Sequence, residues 1–476
     1  MVKKRARQKA VMVGCLCAFS LFALLSCTGN NQVSNQSNSN ANLQQAPGAV
    51  VPPLPPGFPT PVISGNIPVQ VTIPSTVSSP EQARPFFDYY SWETFIAMNW
   101  PAMTGQRGAA NQPDNPSVFL SAGNSYASVW QSYRNALDLY DSGADRPPAW
   151  NSPNNTSVCP GVPPGTTIFE MIQKDSSLLN NPNQPFSYPL IDQNKNYALY
   201  EMQFNQVQYD FIRGQDSDPT TWLYLLKNII NPVTMPAGDQ AGGVGSIMLK
   251  SSWREMTAQD QTSRYYVIDA QIYEPGTRTC RPAKMGLVGL HIVHKLSAFP
   301  EWIWSTFEQV DNVERGQGAT PTTPISFNNG TDRPATQGGW ANRPANQAPP
   351  LLPPDQRIPT QVTRFNPIPT TPQGSSTVDV NKIYQQFLSG TVWQYYQLVF
   401  TQWPSTATNF LLMEKGGVYP QNAGGAFPVN GVTNTTLETY VQSQNDAAGP
   451  GGNSCMQCHY RADSTDFSWS LNRRAH

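Results

Sequence analysis

The chain carries the run Gly286-Leu287-Val288-Gly289-Leu290-His291-Ile292-Val293-His294-Lys295, which is almost wholly apolar apart from its two histidines. A strand covered on both faces has this composition, because neither alternating set of its side chains meets water. The run therefore predicts a strand near the centre of a β-sheet. Since side chains alternate along a strand, His291 and His294 should point to opposite faces.

Further extended runs lie on either side of this strand. They are Ile247 to Glu255, Arg264 to Tyr273 and Trp302 to Phe307, and turn-rich connections separate them from one another and from Met285 to Lys295. Short connections between neighbouring strands favour antiparallel pairing. The middle of the chain is therefore predicted to form a central antiparallel sheet.

Helical segments flank the predicted sheet. Phe86 to Trp100 has apolar residues at helical spacing and ends at Pro101. Helices are also predicted over Ser125 to Tyr140, Asp218 to Ile230, Val380 to Trp403 and Asn434 to Gln444. From Gly316 to Ser376 proline, threonine, asparagine, glutamine and glycine dominate, which predicts a surface excursion or a linker between lobes. The expected fold class is α+β, with flanking helices and long proline-rich loops around the sheet.

Residues 1–26 have the features of a signal peptide. Five basic residues precede an apolar region, Ala10 to Leu25, that is too short to favour a membrane-spanning helix. Leu24-Leu25-Ser26-Cys27 resembles the lipobox of bacterial lipoproteins, which implies cleavage before Cys27 and its lipidation. The alternative is an ordinary secretory signal with an incidental cysteine. Both alternatives predict export; a lipid anchor at Cys27 would hold the protein on the periplasmic side of a bacterial membrane, and Thr28 slightly favours the outer membrane.

Composition divides the rest of the chain. Residues 27–80 are predicted to be a lipidated flexible tether, Asn/Ser-rich and then Pro-rich, with too little apolar surface to offset ordering entropy. Residues 81–445 are long enough for a globular α+β body. Without the five basic residues of the signal, 25 Lys and Arg remain against 31 Asp and Glu, and no basic run survives. Nucleic acid is therefore not a predicted partner.

Residues 446–476 contain the motif Ser454-Cys455-Met456-Gln457-Cys458-His459. The spacing Cys-x-x-Cys-His is typical of c-type haem attachment, in which two thiols form thioethers with one porphyrin and the following histidine is the proximal iron ligand. The alternatives are a redox-active Cys-x-x-Cys pair and half of a zinc site. The prediction is one covalent haem c on a C-terminal segment docked on the body.

The ligand opposite His459 has few candidates. Only one of His291 and His294 can face a given pocket, and His294 is slightly preferred because it is nearer the end of its strand. For each histidine the alternative is a hydrogen-bonded structural role. Thioether alternatives are Met248, Met256, Met285 and Met413, and an open sixth position would favour peroxide or small-ligand chemistry.

Residues after the motif are candidates for contact with the porphyrin. Phe467 and Trp469 could pack on one side of the ring. Arg461 is placed to pair with a propionate, together with Arg473 and Arg474, because a guanidinium binds carboxylates through two hydrogen bonds. Trp302 and Trp304 are more simply explained as packing under the sheet.

The remaining cysteines are Cys159 and Cys280, once the signal, lipid and haem cysteines are set aside. In an oxidising compartment they are predicted to form one structural disulfide. The alternative is two buried free thiols.

The chain resembles a group of poorly characterised bacterial cytochrome c family proteins. The likeness is carried by Ser91 to Pro101, Met285 to Lys295, Trp302 to Glu308 and Ser454 to His459. It implies a single covalent haem and electron transfer, and hence a periplasmic redox partner protein, but no particular substrate. Gln309 stands where the family tends to have histidine, so no ligand role is carried over there.

A sensor or scaffold that merely carries haem is compatible with these patterns, and two further functions follow from them. The first is a lipid-anchored, mono-haem electron-transfer protein. The second is a haem enzyme, either peroxidase-like or a dehydrogenase whose haem relays electrons from a pocket in the body. The single attachment motif argues against a dihaem peroxidase.

Overall fold

A computed structural model describes residues 58, 60–140, 146–171, 189–225, 233–330, 346–404, 426–428, 431–442, 454–459, 462 and 465–468. All of these belong to one compact unit, Gln45–His476. The helices are α1 (Pro80–Met98), α2 (Pro116–Leu120), α3 (Leu137–Tyr140), α4 (Gln206–Arg213), α5 (Thr377–Phe387) and α6 (Cys455–His459). The strands are β1 (Arg134–Asn135), β2 (Thr167–Glu170), β3 (Leu199–Phe204), β4 (Ile247–Glu255), β5 (Val267–Glu274), β6 (Thr279–Leu296), β7 (Phe299–Gln309), β8 (Tyr396–Pro404) and β9 (Ala426–Phe427).

These strands form one sheet with β6 near its centre. The order is β1-β3-β4-β6-β7-β8-β9, while β5 pairs with β6 and with β2. Every pair is antiparallel except the β2–β5 pair. The predicted α+β class with a central antiparallel sheet is confirmed, and so are the four predicted strands of the middle region.

Helix α1 covers one face of the sheet. The Ser79 side chain caps its first turn by accepting a hydrogen bond from the Gln82 backbone N–H, and Pro80 follows at a position that tolerates proline. The ring of Phe95 stacks on Phe307 of β7 with centroids 4.2 Å apart. Ser91 bonds to the Ser305 hydroxyl at 2.7 Å, which satisfies both buried groups.

The segment 431–442 covers the opposite face. Asn434 donates to the Thr306 hydroxyl at 3.0 Å, and the Thr436 hydroxyl lies 2.6 Å from that of Ser252 on β4. A side chain at Gly289 would put its Cβ 2.2 Å from the Thr436 oxygen, so glycine is needed for this close approach. Both faces of β6 are therefore covered, as its apolar sequence predicts.

The predicted helix over Val380 to Trp403 is wrong in its second half. Helix α5 ends at Phe387, a 3-10 turn covers Val392–Tyr395, and β8 begins at Tyr396. Gly390 has a φ of 86°, a left-handed conformation that ends helical geometry. The remaining residues pair with β7, because alternate apolar side chains can then pack on both faces of the sheet.

Three other helical predictions are also wrong where the structure describes them. Within Ser125 to Tyr140 the chain forms a 3-10 turn, β1 and the single turn α3. Asp218 caps a 3-10 turn at Pro219–Thr221, and a second 3-10 turn follows at Leu223–Leu225. Turns occupy 434–442, where the Asn434 side chain accepts hydrogen bonds from the backbone of Thr436 and Leu437. Such side chain–backbone bonds compete with regular helix.

The end of the predicted tether is corrected by the structure. Phe58 stacks on Phe86 with centroids 5.0 Å apart, and Ile63 is buried. The Gly65 backbone N–H donates to Pro113 at 2.8 Å. The few apolar residues among these prolines suffice to pack this part of the predicted tether onto the body. Residues 1–57, including the predicted signal and Cys27, lie outside the described residues.

The predicted disulfide joins Cys159 to Cys280 with a Cα–Cα distance of 5.7 Å. It links the loop before β2 to the start of β6. Among the described residues, no helix has both the length and the apolar character needed to cross a membrane.

Candidate functional site

Helix α6 holds the Cys-x-x-Cys-His motif against the face of the sheet that 431–442 covers. The Met456 backbone N–H donates to the Gln402 side chain of β8 at 2.9 Å, and the Met456 side chain is fully buried. Cys455 packs against Val399, Phe400 and Val432. One helical turn thus brings both thiols and His459 to one place on the sheet.

His459 is held in a single tautomer. Its Nδ1–H donates to the Phe467 carbonyl at 2.7 Å, so the lone pair is on Nε2. Burial lowers the pKa of His459 to about 4 despite that hydrogen bond, which keeps the imidazole neutral. Its ring packs against Trp304 with centroids 4.4 Å apart. A neutral imidazole whose second nitrogen donates to a carbonyl is the form in which histidine binds metals.

The Phe467 carbonyl is positioned by what we call the Asp466 turn, Ala462 and Thr465–Ser468. Asp466 and Phe467 have left-handed φ angles of 56° and 62°, and the Phe467 N–H donates to the Ala462 carbonyl at 2.8 Å. Trp302 donates its indole N–H to the Asp466 carbonyl at 3.0 Å. The turn is therefore bonded to β7 at Asp466, the residue directly before Phe467, whose carbonyl accepts from His459.

A buried ion pair anchors the same turn to β6. The Lys295 ammonium lies 2.6 Å from the Asp466 carboxylate, with side-chain exposures of 3% and 7%. The Met235 backbone N–H also donates to this carboxylate at 2.7 Å. Burial raises the pKa of Asp466 although the Lys295 charge acts to lower it. The pair persists in the interior because both charges have partners.

Neither Cys455 nor Cys458 is part of a disulfide. Burial raises the pKa of Cys455 well above its ordinary value, and the charges of Glu438 and Cys458 add to this. A redox-active Cys-x-x-Cys pair depends on a lowered thiol pKa, so this environment is opposite to the one such a pair requires. Nor do the described residues contain three clustered His, Cys, Asp or Glu side chains able to hold a metal ion, as a zinc site requires.

The arrangement fits a c-type haem better than either alternative. Two thiols that are not in a disulfide lie one helical turn apart and precede a histidine whose Nδ1–H is already bonded and whose Nε2 carries the lone pair. Thioether formation needs the thiols and iron ligation needs the nitrogen. The residues that would hold the group are Cys455, Cys458 and His459.

His291 lies on the same face of the sheet as α6. It pairs with Lys250 of β4 and Thr306 of β7, and its Nε2–H donates to the Glu438 carboxylate at 2.8 Å. Burial acts to raise the pKa of Glu438, but the charge and hydrogen bond of His291 and the charge of Lys250 outweigh it, so the pKa is lowered. The charges of Lys250, His291 and Glu438 all act on His459.

His294 lies on the other face, against α1. Its Nδ1 accepts a hydrogen bond from the Tyr90 hydroxyl at 2.6 Å, and its Nε2–H donates to the Val244 carbonyl at 2.6 Å. Burial lowers the pKa of His294 to about 4. Both ring nitrogens are thus used in the core. The slight preference for His294 is not supported by this geometry, which places His291 beside the motif instead.

The other predicted site residues are distributed as follows. Phe467 is buried, and it is its carbonyl that contacts His459. Met248 shares the face of His291 and its sulfur lies 3.8 Å from the Ser468 hydroxyl. Gln309 donates to Asp311 and to the Arg264 carbonyl, a structural role. The predicted Arg461, Trp469, Met413, Arg473 and Arg474 lie outside the described residues.

Several site residues were missed by the sequence analysis. They are Lys250, Glu438, Gln402 and the Lys295–Asp466 pair. These residues come near the motif only because of the register of the strands and the path of the chain after them. One signal was available in the sequence. If β4 and β6 pair in the observed register, Lys250 lies directly opposite His291 and faces the same side of the sheet.

Comparison of the chain with protein-family models, curated proteins and solved structures found no match in any of the three. The likeness to bacterial cytochrome c family proteins therefore stays a prediction.

Proposed function

We propose that this chain is an exported, lipid-anchored, mono-haem c-type cytochrome that transfers electrons to or from a periplasmic redox partner protein. The observation that carries the proposal is the state of His459, whose Nδ1–H donates to the Phe467 carbonyl while Nε2 keeps its lone pair. A histidine in this tautomer that directly follows a Cys-x-x-Cys pair without a disulfide is prepared to bind iron.

The chain's own groups have distinct roles in this proposal. Cys455 and Cys458 would hold the porphyrin and His459 Nε2 would bind its iron; when bound, the haem supplies one-electron Fe(II)/Fe(III) cycling. The Phe467 carbonyl increases the basicity of the imidazole by accepting its Nδ1–H. A more basic ligand would favour the ferric state of a bound haem iron. Trp304 limits rotation of the ring by packing against it.

His291 is the side chain we propose as the sixth ligand. It lies on the face of α6, and Glu438 accepts its Nε2–H, so Nδ1 is the nitrogen that would bind iron in the neutral imidazole. Met248, on the same face, is the thioether alternative. The two can be separated spectroscopically, because bis-histidine and histidine–methionine coordination give different near-infrared bands.

The test is a pyridine haemochrome spectrum of the exported chain produced in a host competent in cytochrome maturation. We expect one haem per chain, retained after denaturation, with neither Cys455 nor Cys458 open to alkylation. The Cys455→Ala/Cys458→Ala variant is the matched control and should carry no covalent haem. Colourless protein with both thiols free, or with zinc bound by them, would overturn the proposal.

A second function, a haem enzyme with a pocket in the body, is favoured by one observation. The structure has a cavity of about 280 Å³ lined by Glu201 and Glu170, away from α6. Reactivity separates the two functions. A low-spin spectrum unaffected by cyanide, carbon monoxide and peroxide supports electron transfer alone, whereas a high-spin ferric form that reacts with peroxide supports the enzyme.

A further inference from the structure

The cavity near β3 has an acidic, partly aromatic lining. Its volume is about 280 Å³, and its lining includes the acidic residues Asp138, Glu170 and Glu201 and the aromatic residues Tyr133 and Phe169. The described lining contains no lysine, arginine or histidine. The volume is close to the lower limit for small-molecule sites.

Two acceptor groups in this lining have no partner. Glu201 and Gln203 are two residues apart on β3, so they face the same side, and they are 6% and 5% exposed. Among the described atoms, Glu201 Oε2 and Gln203 Oε1 have no hydrogen-bond donor. Buried polar atoms are almost always bonded in folded proteins, so unbonded acceptors beside a cavity indicate a ligand that donates.

The acidic residues of the lining favour a ligand whose hydrogen-bond donor is positively charged. Asp138 is partly compensated by Arg134 at 3.3 Å, but no cation of the described residues pairs with Glu201. Burial alone raises the pKa of Glu201 to about 8, and burial also raises that of Asp138 in spite of Arg134. A bound cation would relieve this cost by stabilising the carboxylate form.

We propose that this cavity binds a small primary ammonium compound, whose N–H groups are accepted by Glu201 and Gln203 and whose apolar part packs on Phe169 and Tyr133. An ammonium group supplies the three donors and the positive charge that the lining lacks. Aromatic rings favour such cations and also contact their hydrocarbon parts. A metal ion fits less well, because the described residues hold no cluster of three ligating side chains.

Binding should also release a proton. The free Glu201 carboxyl is protonated at pH 7, and an ammonium ligand would ionise it, so the proton leaves to the buffer. The other titratable residues of the lining are Asp138, Glu170, Tyr133 and Tyr273, whereas the Tyr200 hydroxyl donates to the Thr436 carbonyl on the opposite face of the sheet. Proton release at pH 7 is therefore expected to depend on Glu201.

Titration calorimetry of the full chain at pH 7 tests the proposal, with benzylamine as the probe and benzyl alcohol, xylitol and calcium chloride as comparisons. We expect benzylamine to bind at least ten-fold more tightly than any comparison, with a heat that varies with the ionisation enthalpy of the buffer. Glu201→Gln should weaken benzylamine binding at least ten-fold and remove the buffer dependence. Glu93→Gln is the matched control: it replaces another buried carboxyl with a raised pKa, about 7, outside this lining, and should leave binding unchanged.

Gln203→Met is a second variant, used with circular dichroism to check folding, and should also weaken benzylamine binding. Absence of benzylamine binding would overturn the proposal, as would equal binding of benzyl alcohol, xylitol or calcium. Unchanged binding in folded Glu201→Gln or Gln203→Met would overturn it too. The assay does not depend on haem, so its failure is distinct from failure of the cytochrome proposal.

Discussion

The two histidines of β6 differ in what their ring nitrogens contact. His291 has one nitrogen bonded to Glu438 on the face of α6, whereas His294 has both nitrogens bonded in the core against α1. Iron could bind His291 without breaking a hydrogen bond of the core, whereas binding at His294 would break its bond to Tyr90 or to Val244. At the residue scale this difference makes the two positions a matched pair for mutation.

We expect His291→Ala to convert the haem-loaded protein from low-spin to high-spin, because the proposed sixth ligand is removed. His294→Ala should keep the low-spin spectrum, although it destabilises the fold by leaving Tyr90 and Val244 without their partner. The measurement is the electronic absorption spectrum of the ferric protein. A low-spin spectrum in folded His291→Ala would show that another side chain, with Met248 the first to replace, binds the iron.

His294 should also make stability depend on pH. Its folded-state pKa of about 4 lies below the ordinary 6.5, so the unfolded chain takes up a proton first. Its contribution is present above about pH 6.5 and is lost as the pH falls towards 4, by about 3 kcal/mol in total. Urea unfolding at pH 7 and pH 4.5 measures this. His294→Gln should lose less stability than the native chain between these pH values, and an equal loss would contradict the assignment.

At the scale of elements, the Asp466 turn connects β6 and β7 to the proximal histidine. Lys295 and Trp302 fix Asp466, and the next residue supplies the carbonyl for His459. The turn contacts α6 through the bond between the Phe467 carbonyl and His459. Its effect on the haem is expected to pass through one hydrogen bond.

We expect Asp466→Asn to destabilise the protein by about 3–5 kcal/mol, because Lys295 would be left buried without its counter-charge. The reduction potential should rise, since a displaced Phe467 carbonyl no longer increases the basicity of His459. Denaturant unfolding and a redox titration measure the two effects.

Asp311→Asn is the control for this prediction. It breaks a similarly buried pair with Arg264, whose side chains are 2% and 0% exposed, and Asp311 makes no contact with α6 among the described residues. It should cost similar stability and leave the potential unchanged. Equal shifts of potential in both variants would mean that the Asp466 turn has no specific role.

Elements of this fold differ in how far sequence determines them. The strands of the middle region were predictable because period-two alternation and apolar runs are local signals that burial then reinforces. Tyr396 to Pro404 was not, since a short apolar run fits helix or strand until its pairing with β7 is known. The Cys-x-x-Cys-His motif is recognisable from spacing alone, and its role in haem attachment stays a prediction. Glu438 and Lys250 were not, because contacts across the sheet depend on register and on where the chain returns.

At the scale of the whole molecule, the two layers on the sheet have different origins in the sequence. Helix α1 comes from the start of the body, and the opposite cover comes from 431–442 and α6, near its end. The proposed haem segment therefore completes the core instead of lying outside it. Loss of 431–442 should expose Thr306 and Glu308 of β7, which are buried beneath it.

The disulfide should contribute to the stability of the whole body. Cys159 and Cys280 are 121 residues apart, and closing a loop of that length restricts the unfolded chain by about 4–5 kcal/mol in the entropy model. The Cys159→Ala/Cys280→Ala variant should lose up to this amount in denaturant unfolding, with its haem spectrum unchanged. Reduction of the native chain with dithiothreitol should give the same loss, and a loss below about 1 kcal/mol in both experiments would contradict the prediction.

The membrane attachment that we propose rests on Cys27, which lies outside the described residues and is separated in sequence from everything that holds the haem. Two processes, lipidation at one end and haem attachment at the other, should therefore be separable by mutation. We expect Cys27→Ala to move the exported protein from the membrane fraction to the soluble fraction, because no helix of the described residues can span a membrane and the charge is weakly acidic. Covalent haem content should stay the same.

Cys17→Ala, a change within the predicted signal that is removed on processing, is the control and should leave both properties as they are. Membrane association that persists in Cys27→Ala, with the N-terminal peptide lacking lipid by mass spectrometry, would mean that the body itself, and not an acyl anchor, binds the membrane.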